Sequence, residues 1–437
     1  MSIKTLPVEN SLYSNGVYPL LVASLGLGTV ALANTGGANI RIWEVLVGVF
    51  VLFVFVRYCL GSRIFSQNRM TGLLLLPLIV SVLLSGLNAN RLDLWGKQGL
   101  LLSLMLVLFF VVSQRWSRVQ ILQNMRWVIY PGILVAGWGI LELFLDPENL
   151  PLYYTSGGFI MPRAVSLFAE PNEFSEYLAL PFGFLFSAML YRHKFSSWER
   201  KIFGLGLSVV IVAQVLSFSR GGMVVFASEI LAWYLLTSFY STGKLRVWGR
   251  KLLFFIVSLL AIGGLLAGHD VLSIVDVFVE RLQGLFSGND VTSQIRWQGI
   301  IDAIANTVAS PVNFVVGMGF GNLTLLLGEG VATTANVLVD VFSELGILGL
   351  LSIMTIVGAA LVLPLRILSD LMRKRDDDML AAFFGAYLSF VGLLAGGMTY
   401  ATHMLNIFWF SCGLLFAIYQ YKNSLLASDR RSNNDHN

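Results

Sequence analysis

An all-α integral membrane protein that crosses the bilayer about twelve times is the fold class this sequence predicts. Three observations carry the expectation. Of 437 residues, 56% are hydrophobic and 12% charged, whereas a soluble domain carries about 25% charged residues. Apolar runs long enough to cross a hydrocarbon layer of about 30 Å recur along the chain. Basic residues are dense in every second loop, as the preference of Lys and Arg for the cytoplasmic side requires.

Taken in order, the predicted spans are 17–34, 43–60, 71–87, 98–114, 127–145, 174–191, 202–218, 222–240, 252–268, 337–364, 379–397 and 404–421. The start, "MSIKTLPVENSLYSNG", leads into a full-length span without a small-residue cleavage site, so the first span is expected to stay. With the N-terminus inside, the outer segments keep seven basic residues: Arg41, Arg91, Lys97, Arg163, Arg220, Arg281 and Arg296. The inner segments hold the other 22 of the 29. The alternation holds at every loop, which favours twelve spans with both termini cytoplasmic over eleven or thirteen. The net charge of +4 then reflects orientation in an anionic membrane and gives no support to nucleic-acid binding.

The chain reads as one membrane domain, 1–437, with no internal repeat. Two outward loops are long, 146–173 and 269–336, and both are expected to contain amphipathic helices. "DVLSIVDVFVERLQGLF" and "SQIRWQGIIDAIANTV" have helical periodicity without the length to span, and "GNDVTSQ" between them signals a turn. The polar tail, 424–437, is expected to be disordered and cytoplasmic.

Most cofactor chemistry finds no foothold. Cys59 and Cys412 fall in predicted spans, which argues against a structural disulfide. His193, His269, His403 and His436 have no metal-ligand spacing. "GMGFGN" at 317–322 lacks the strand, lysine and helix of a nucleotide loop. Neither a metal nor a cofactor is expected.

What remains is polar residues on the outer side. In "VLSFSRGGMVV", Arg220 stands between two spans, followed by Gly221 and Gly222. Either it reaches the headgroups or a carboxylate such as Glu170, or it faces an anionic ligand, since guanidinium suits phosphate oxygens. "RAVSLFAEPNEFSEYLALPFG" gathers Arg163, Glu170, Asn172, Glu173 and Glu176 at the mouth of span six. Pro171 there opens a helix whose dipole favours acids in the first turn. Arg296 and Trp297, with Asp302 behind them, are an anchor pair of an interfacial helix or part of a site. In "TTANVLVDVFSELGILGLL", Asn336 opens span ten, and Asp340 and Glu344 follow four apart on one helix face.

"RAVSLFAEPNEF", "SFSRGG", "IRWQGI", "GMGFGN" and "NVLVDVFSELGILGLL", in this order, resemble the O-antigen polymerase and ligase superfamily, often called the Wzy and WaaL families. The resemblance covers most of the chain. It implies a GT-C-like fold with twelve spans and a large periplasmic loop between spans nine and ten. It also implies a metal-independent, inverting glycosyltransferase of the bacterial inner membrane that takes a glycan from undecaprenyl diphosphate on the periplasmic face. On that resemblance Arg220 and Arg296 hold the diphosphate, and Glu170 or Glu173 is the candidate base. Arg163, Asn172, Arg281, Trp297, Asn336, Asp340 and Glu344 are candidate substrate-binding residues. Implied partners are the lipid-linked glycan, membrane lipids and a chain-length regulator.

One departure separates the two activities. Ligases carry a histidine before the asparagine of the span-ten motif, and here Ala335 stands there. Together with the acid–proline turn of "FAEPNEF", this favours a polysaccharide polymerase. The alternative is a ligase, transferring glycan to lipid A core, whose histidine has been replaced by nature or by design. A non-enzymatic lipid or solute transporter shares the span count, but such proteins often show matched halves that this sequence lacks.

Overall fold

The computed structural model describes residues 22, 25–27, 31–35, 38–41, 45–49, 52, 69–114, 116–145, 153–156, 159–168, 170–191, 195–240, 291–327, 334, 336–399 and 406–434. Helices build the protein. In chain order they are α1 (Arg69–Ser85), α2 (Leu92–Val112), α3 (Arg118–Leu145), α4 (Pro171–Leu190), α5 (Ser197–Leu216) and α6 (Arg220–Tyr240). After them come α7 (Val291–Val308), α8 (Pro311–Val316), α9 (Leu323–Leu327), α10 (Val337–Lys374), α11 (Asp377–Gly396) and α12 (Asn406–Asn434).

By length and apolar composition, six stretches can cross a membrane: Met70–Asn88, Leu92–Val112, Arg118–Leu145, Arg220–Phe239, Val337–Lys374 and Asp377–Gly396. They answer six of the twelve predicted spans. Three more, 174–191, 202–218 and 404–421, are the helices α4, α5 and α12 but are not among the six. Span 252–268 lies outside the described residues, as do most of 17–34 and of 43–60.

The structure corrects the sequence reading at several places. Ala31–Thr35, which closes the predicted first span, is a strand (β1) paired antiparallel with Ala38–Arg41 (β2). Within 146–173, where amphipathic helices were expected, Tyr153–Ser156 (β3) pairs with Phe159–Pro162 (β4). Both hairpins straddle a Gly-Gly pair in the sequence, Gly36-Gly37 and Gly157-Gly158, a composition that suits two-residue hairpin turns. Helix α12 runs as far as Asn434, into the polar tail 424–437. Its residues "NSLLASDRR" contain no Gly or Pro to stop a helix.

Helix α11 is the hub. Of its apolar window 83% is enclosed by protein, against 33–39% in the other five candidate spans. Small residues let the neighbours come close, as in other membrane helix packings. Gly385 faces Phe184 of α4, and the Ser389 hydroxyl, which donates to the Gly385 carbonyl at 2.7 Å, lies 3.2 Å from the carbonyls of Ala179 and Leu180. Aromatic rings fill the rest: Phe182 stacks on Phe226 at 4.1 Å, and Phe390 lies 5.4 Å from Phe408.

Ion pairs fasten one end of the bundle. Arg118 donates to Asp376 and Asp378 at 2.8 Å each, tying α3 to the start of α11. Arg126 meets Glu199 at 3.0 Å, and Glu199 closes a capping box with Ser196 at the start of α5.

The opposite end is organised by a break in α10. Gly346 there takes φ 64° and ψ −166°, which interrupts the helix between two helical segments. Against the break packs "GMGFGN", whose Gly317, Gly319 and Gly321 have φ of 82°, 100° and 77°. Met318 donates to the Ser343 carbonyl at 2.8 Å. Asn88 donates to Asn313 at 2.6 Å and to the Gly317 carbonyl at 2.7 Å, and the Arg91 amide donates to Asn322 at 2.8 Å. The glycine loop thus clasps the α1–α2 turn to α10.

Candidate anion site at the end of α11

Arg220 is the first residue of α6, and the turn before it is unusually well braced. Phe218 adopts φ 47°, which lets the chain reverse between α5 and α6. Three consecutive carbonyls at the end of α5 are covered from one side. The Ala164 amide donates to Leu216 at 3.0 Å, Arg163 Nε to Ser217 at 3.0 Å and Arg163 Nη2 to Phe218 at 3.3 Å. A guanidinium at a helix C-terminus satisfies orphan carbonyls and meets the negative end of the dipole. The expected ligand-binding role of Arg163 is therefore joined by a structural one that the sequence did not signal.

Ser219 stands immediately before α6. Its hydroxyl accepts the Gly222 amide at 3.1 Å and donates to Asn172 Oδ1 at 2.9 Å. Asn172 belongs to the first turn of α4, so the N-termini of α4 and α6 are joined side chain to side chain. The two glycines have separate causes. A Cβ on Gly221 would lie 2.7 Å from Thr399 Oγ1, and one on Gly222 would run into Gln214 and Ser175.

Thr399 is the residue on which the parts meet. It ends the turn Gly396-Gly397-Met398-Thr399 that closes α11, with its hydroxyl donating to the Gly396 carbonyl at 2.9 Å. Its own carbonyl accepts Arg296 Nη1 from α7 at 3.4 Å. The carbonyl of Gly397, two residues earlier in the turn, accepts the Val337 amide at 2.8 Å, which brings in the start of α10. Asn336 caps α10 through Leu338 and Val339 at 3.1 and 3.3 Å, and its amide lies 3.9 Å from Met398 Sδ. The end of α11 therefore gathers Arg296, the residue after Arg220, and the N-termini of α4, α6 and α10.

That arrangement favours an anion. Helix N-termini carry the positive end of the dipole, although the first amides of α10 are taken by Gly397 and Asn336 and that of Gly222 by Ser219. Arg220 and Arg296 are both half-buried, which keeps them within reach of solvent or a ligand while limiting screening. Both also make interactions within the protein.

The other expected site residues divide. Glu170 is exposed and stands before α4, its carbonyl accepting the Phe174 amide at 3.1 Å. Glu173, half-buried, lies in the first turn. Trp297 is 64% exposed. Asp340 is buried, and one of its oxygens accepts the Thr334 amide at 2.9 Å and hydroxyl at 2.6 Å. Glu344 is turned into the glycine loop, where the amides of Gly321 and Leu323 donate to it. Arg281 and Ala335 lie outside the described residues. Among the described residues, no three His, Cys, Asp or Glu side chains gather closely enough to hold a metal.

Sequence reasoning missed Thr399, Gly396, Gly397 and Gln214. None is a charged residue in an apolar run, which was the signal used. A Gly-Gly pair ending an apolar span, "LLAGGMT", is the one mark that could have pointed to the turn. No protein-family model matches the chain, and no curated protein matches its sequence.

Proposed function

We propose that this chain is a polysaccharide polymerase of the bacterial inner membrane, acting at its periplasmic face on glycans linked to undecaprenyl diphosphate. The observation that carries the reading is that the chain beside Arg220 and the side chain of Arg296 converge on one helix end. Gly221, the residue after Arg220, packs against the Thr399 hydroxyl, and Arg296 donates to the Thr399 carbonyl from α7. Six apolar helices long enough to cross a membrane make the neighbouring phase a bilayer, which suits a ligand with an anionic head and a lipid tail.

In the proposed reaction a hydroxyl of one lipid-linked repeat attacks the anomeric carbon of the growing glycan. The new C–O bond forms as the bond to the diphosphate breaks, and the electron pair leaves with the diphosphate. Arg220 and Arg296 meet the charge that grows there, and removal of such a preorganised donor commonly costs about 3–4 kcal/mol of barrier. The proton leaves the hydroxyl, with Glu173 or Glu170 at the mouth of α4 as its first acceptor. Arg163 supports Arg220 by holding the turn that precedes it.

Purified protein given lipid-linked repeat units tests the reading. The polymerase produces a ladder of lengthening glycans, and Arg220→Ala or Arg296→Ala in folded protein abolishes it. Transfer to lipid A core instead would make the chain a ligase. An absence of either product, or ladders unchanged in both variants, would refute the assignment.

A further inference from the structure

Two carboxyl groups lie deep in the bundle and the proposed reaction does not use them. Glu176 of α4 is 1% exposed and Glu229 of α6 is 0% exposed. Neither oxygen of either carboxyl has a hydrogen-bond partner among the described residues. An isolated acid in such a place is costly unless it holds a proton or meets a cation. A packing role alone would be served better by Leu or Gln.

Both lean on glycines of α11. A Cβ at Gly396 would lie 3.3 Å from Glu176 Oε1, and one at Gly392 would lie 2.6 Å from Glu229 Oε1. The two glycines are one helical turn apart, a rise of about 6 Å. Gly396 begins the turn that carries Thr399, so Glu176 sits directly beneath the arginine site and Glu229 one turn deeper. Further orphans flank the pair. Gln214, 4% exposed with neither amide atom bonded, crowds Gly222 together with Ser175, the neighbour of Glu176. Trp233 Nε1, four residues beyond Glu229 on α6, is also unbonded. Buried orphans are few in a folded protein, and a file of them leading inward from a site calls for a shared cause.

We propose that Glu176 and Glu229 form a proton-binding pair inside the bundle, fed from the arginine site through Glu173. Glu173 and Glu176 are three residues apart on one face of α4. In the state that binds substrate the pair holds a single proton. The proton given up by the attacking hydroxyl passes to a Glu173 oxygen and then to the pair, so that Glu176 and Glu229 are both protonated until the product leaves. That proton returns to solvent by the same route when the product leaves, so the cycle needs no oxidant, reductant or co-reactant. Among the described residues, Glu173, one turn away on α4, is the charged group that acts on Glu176, and no charged group acts on Glu229. The turnover role rests on the polymerase reading, whereas proton binding by the pair does not.

Dicyclohexylcarbodiimide, an apolar reagent for protonated carboxyls, separates the two. Folded full-length protein in detergent is treated over a series of pH values, and adducts are mapped by peptide mass. Adducts at Glu229 and Glu176 are expected, declining as pH rises, with Glu229→Gln restricting them to Glu176. Their absence at both positions at every pH overturns the pair, whatever the activity. In polymerisation, Glu176→Gln should lower kcat by about a hundredfold with the donor KM unchanged, Glu176→Asp should restore part of it, and the pH profile should shift. Adducts together with a wild-type pH profile in the double Gln variant overturn the role in turnover. Adducts on a protein that makes no polymer leave the pair standing and refute the reading of the arginine site.

Discussion

Arg296 donates to the carbonyl of Thr399 at 3.4 Å, so α7, which is not among the helices able to span a membrane, is pinned to the end of α11. Through that contact a residue of the 269–336 loop reaches the place where α4, α6 and α10 begin. Gly221 packs against the same threonine, at its hydroxyl rather than its carbonyl. An anion held between α6 and α7 would therefore rest on a turn with no charged side chain of its own.

The close approach of Gly221 to Thr399 predicts a specific coupling. Gly221→Ala places a methyl group 2.7 Å from Thr399 Oγ1, an overpacking that costs roughly 1–3 kcal/mol. Thr399→Ala removes the obstructing hydroxyl. Thermal unfolding of the four proteins of the double-mutant cycle should show the double variant recovering most of what Gly221→Ala loses. Additive losses would show that the two residues do not meet.

Arg163 should behave as a brace. Arg163→Ala uncovers the carbonyls of Ser217 and Phe218, at about 1–3 kcal/mol for buried groups left unsatisfied. Hydrogen exchange in residues 216–222 should rise, and Arg163→Lys should recover less than half of the loss because a single ammonium lacks the fork. Unchanged exchange in that turn would remove Arg163 from this role.

Glu344 gives a test at the other side of the site. Glu344→Leu leaves the amides of Gly321 and Leu323 without their acceptor, again about 1–3 kcal/mol. The predicted effect is faster exchange across residues 317–323, with Glu344→Gln milder. Faster exchange confined to α10 would contradict it.

Acid should weaken the end of the bundle that holds Glu199. Burial alone would raise its carboxyl, but the Ser196 capping box and Arg126 outweigh it and hold the group below its ordinary range. A carboxyl lowered on folding contributes stability at pH above its unfolded value and loses it as pH falls through the folded value. Thermal stability should therefore drop through and below the ordinary carboxylate range, and Glu199→Gln should flatten that limb. A limb of equal steepness in Glu199→Gln would place its origin elsewhere.

Hydropathy made α1, α2, α3, α6, α10 and α11 legible, because a bilayer demands length and apolarity that few other contexts require. The isolated arginines were legible for the converse reason, since a charge in an apolar run is conspicuous. Thr399 and Gly397 were not, because they act through backbone carbonyls that any residue supplies. Arg163 showed its charge but not its work, which depends on how α5 ends. The hairpin of β3 and β4 hid behind the expectation of helix, although its Gly157-Gly158 pair carries a turn signal. Glu344 stood out as an embedded acid, yet its partners are amides of a glycine loop far away in sequence.

The most direct test is the affinity of purified protein for undecaprenyl diphosphate, compared among wild type, Arg220→Ala, Arg296→Ala and the double variant. If both guanidinium groups hold one diphosphate, each single change should weaken binding about 10- to 100-fold, as the loss of a charged hydrogen bond does. The second change should cost less in the presence of the first, and Trp297→Ala should leave the diphosphate contact intact. Wild-type affinity in both single variants would contradict the account.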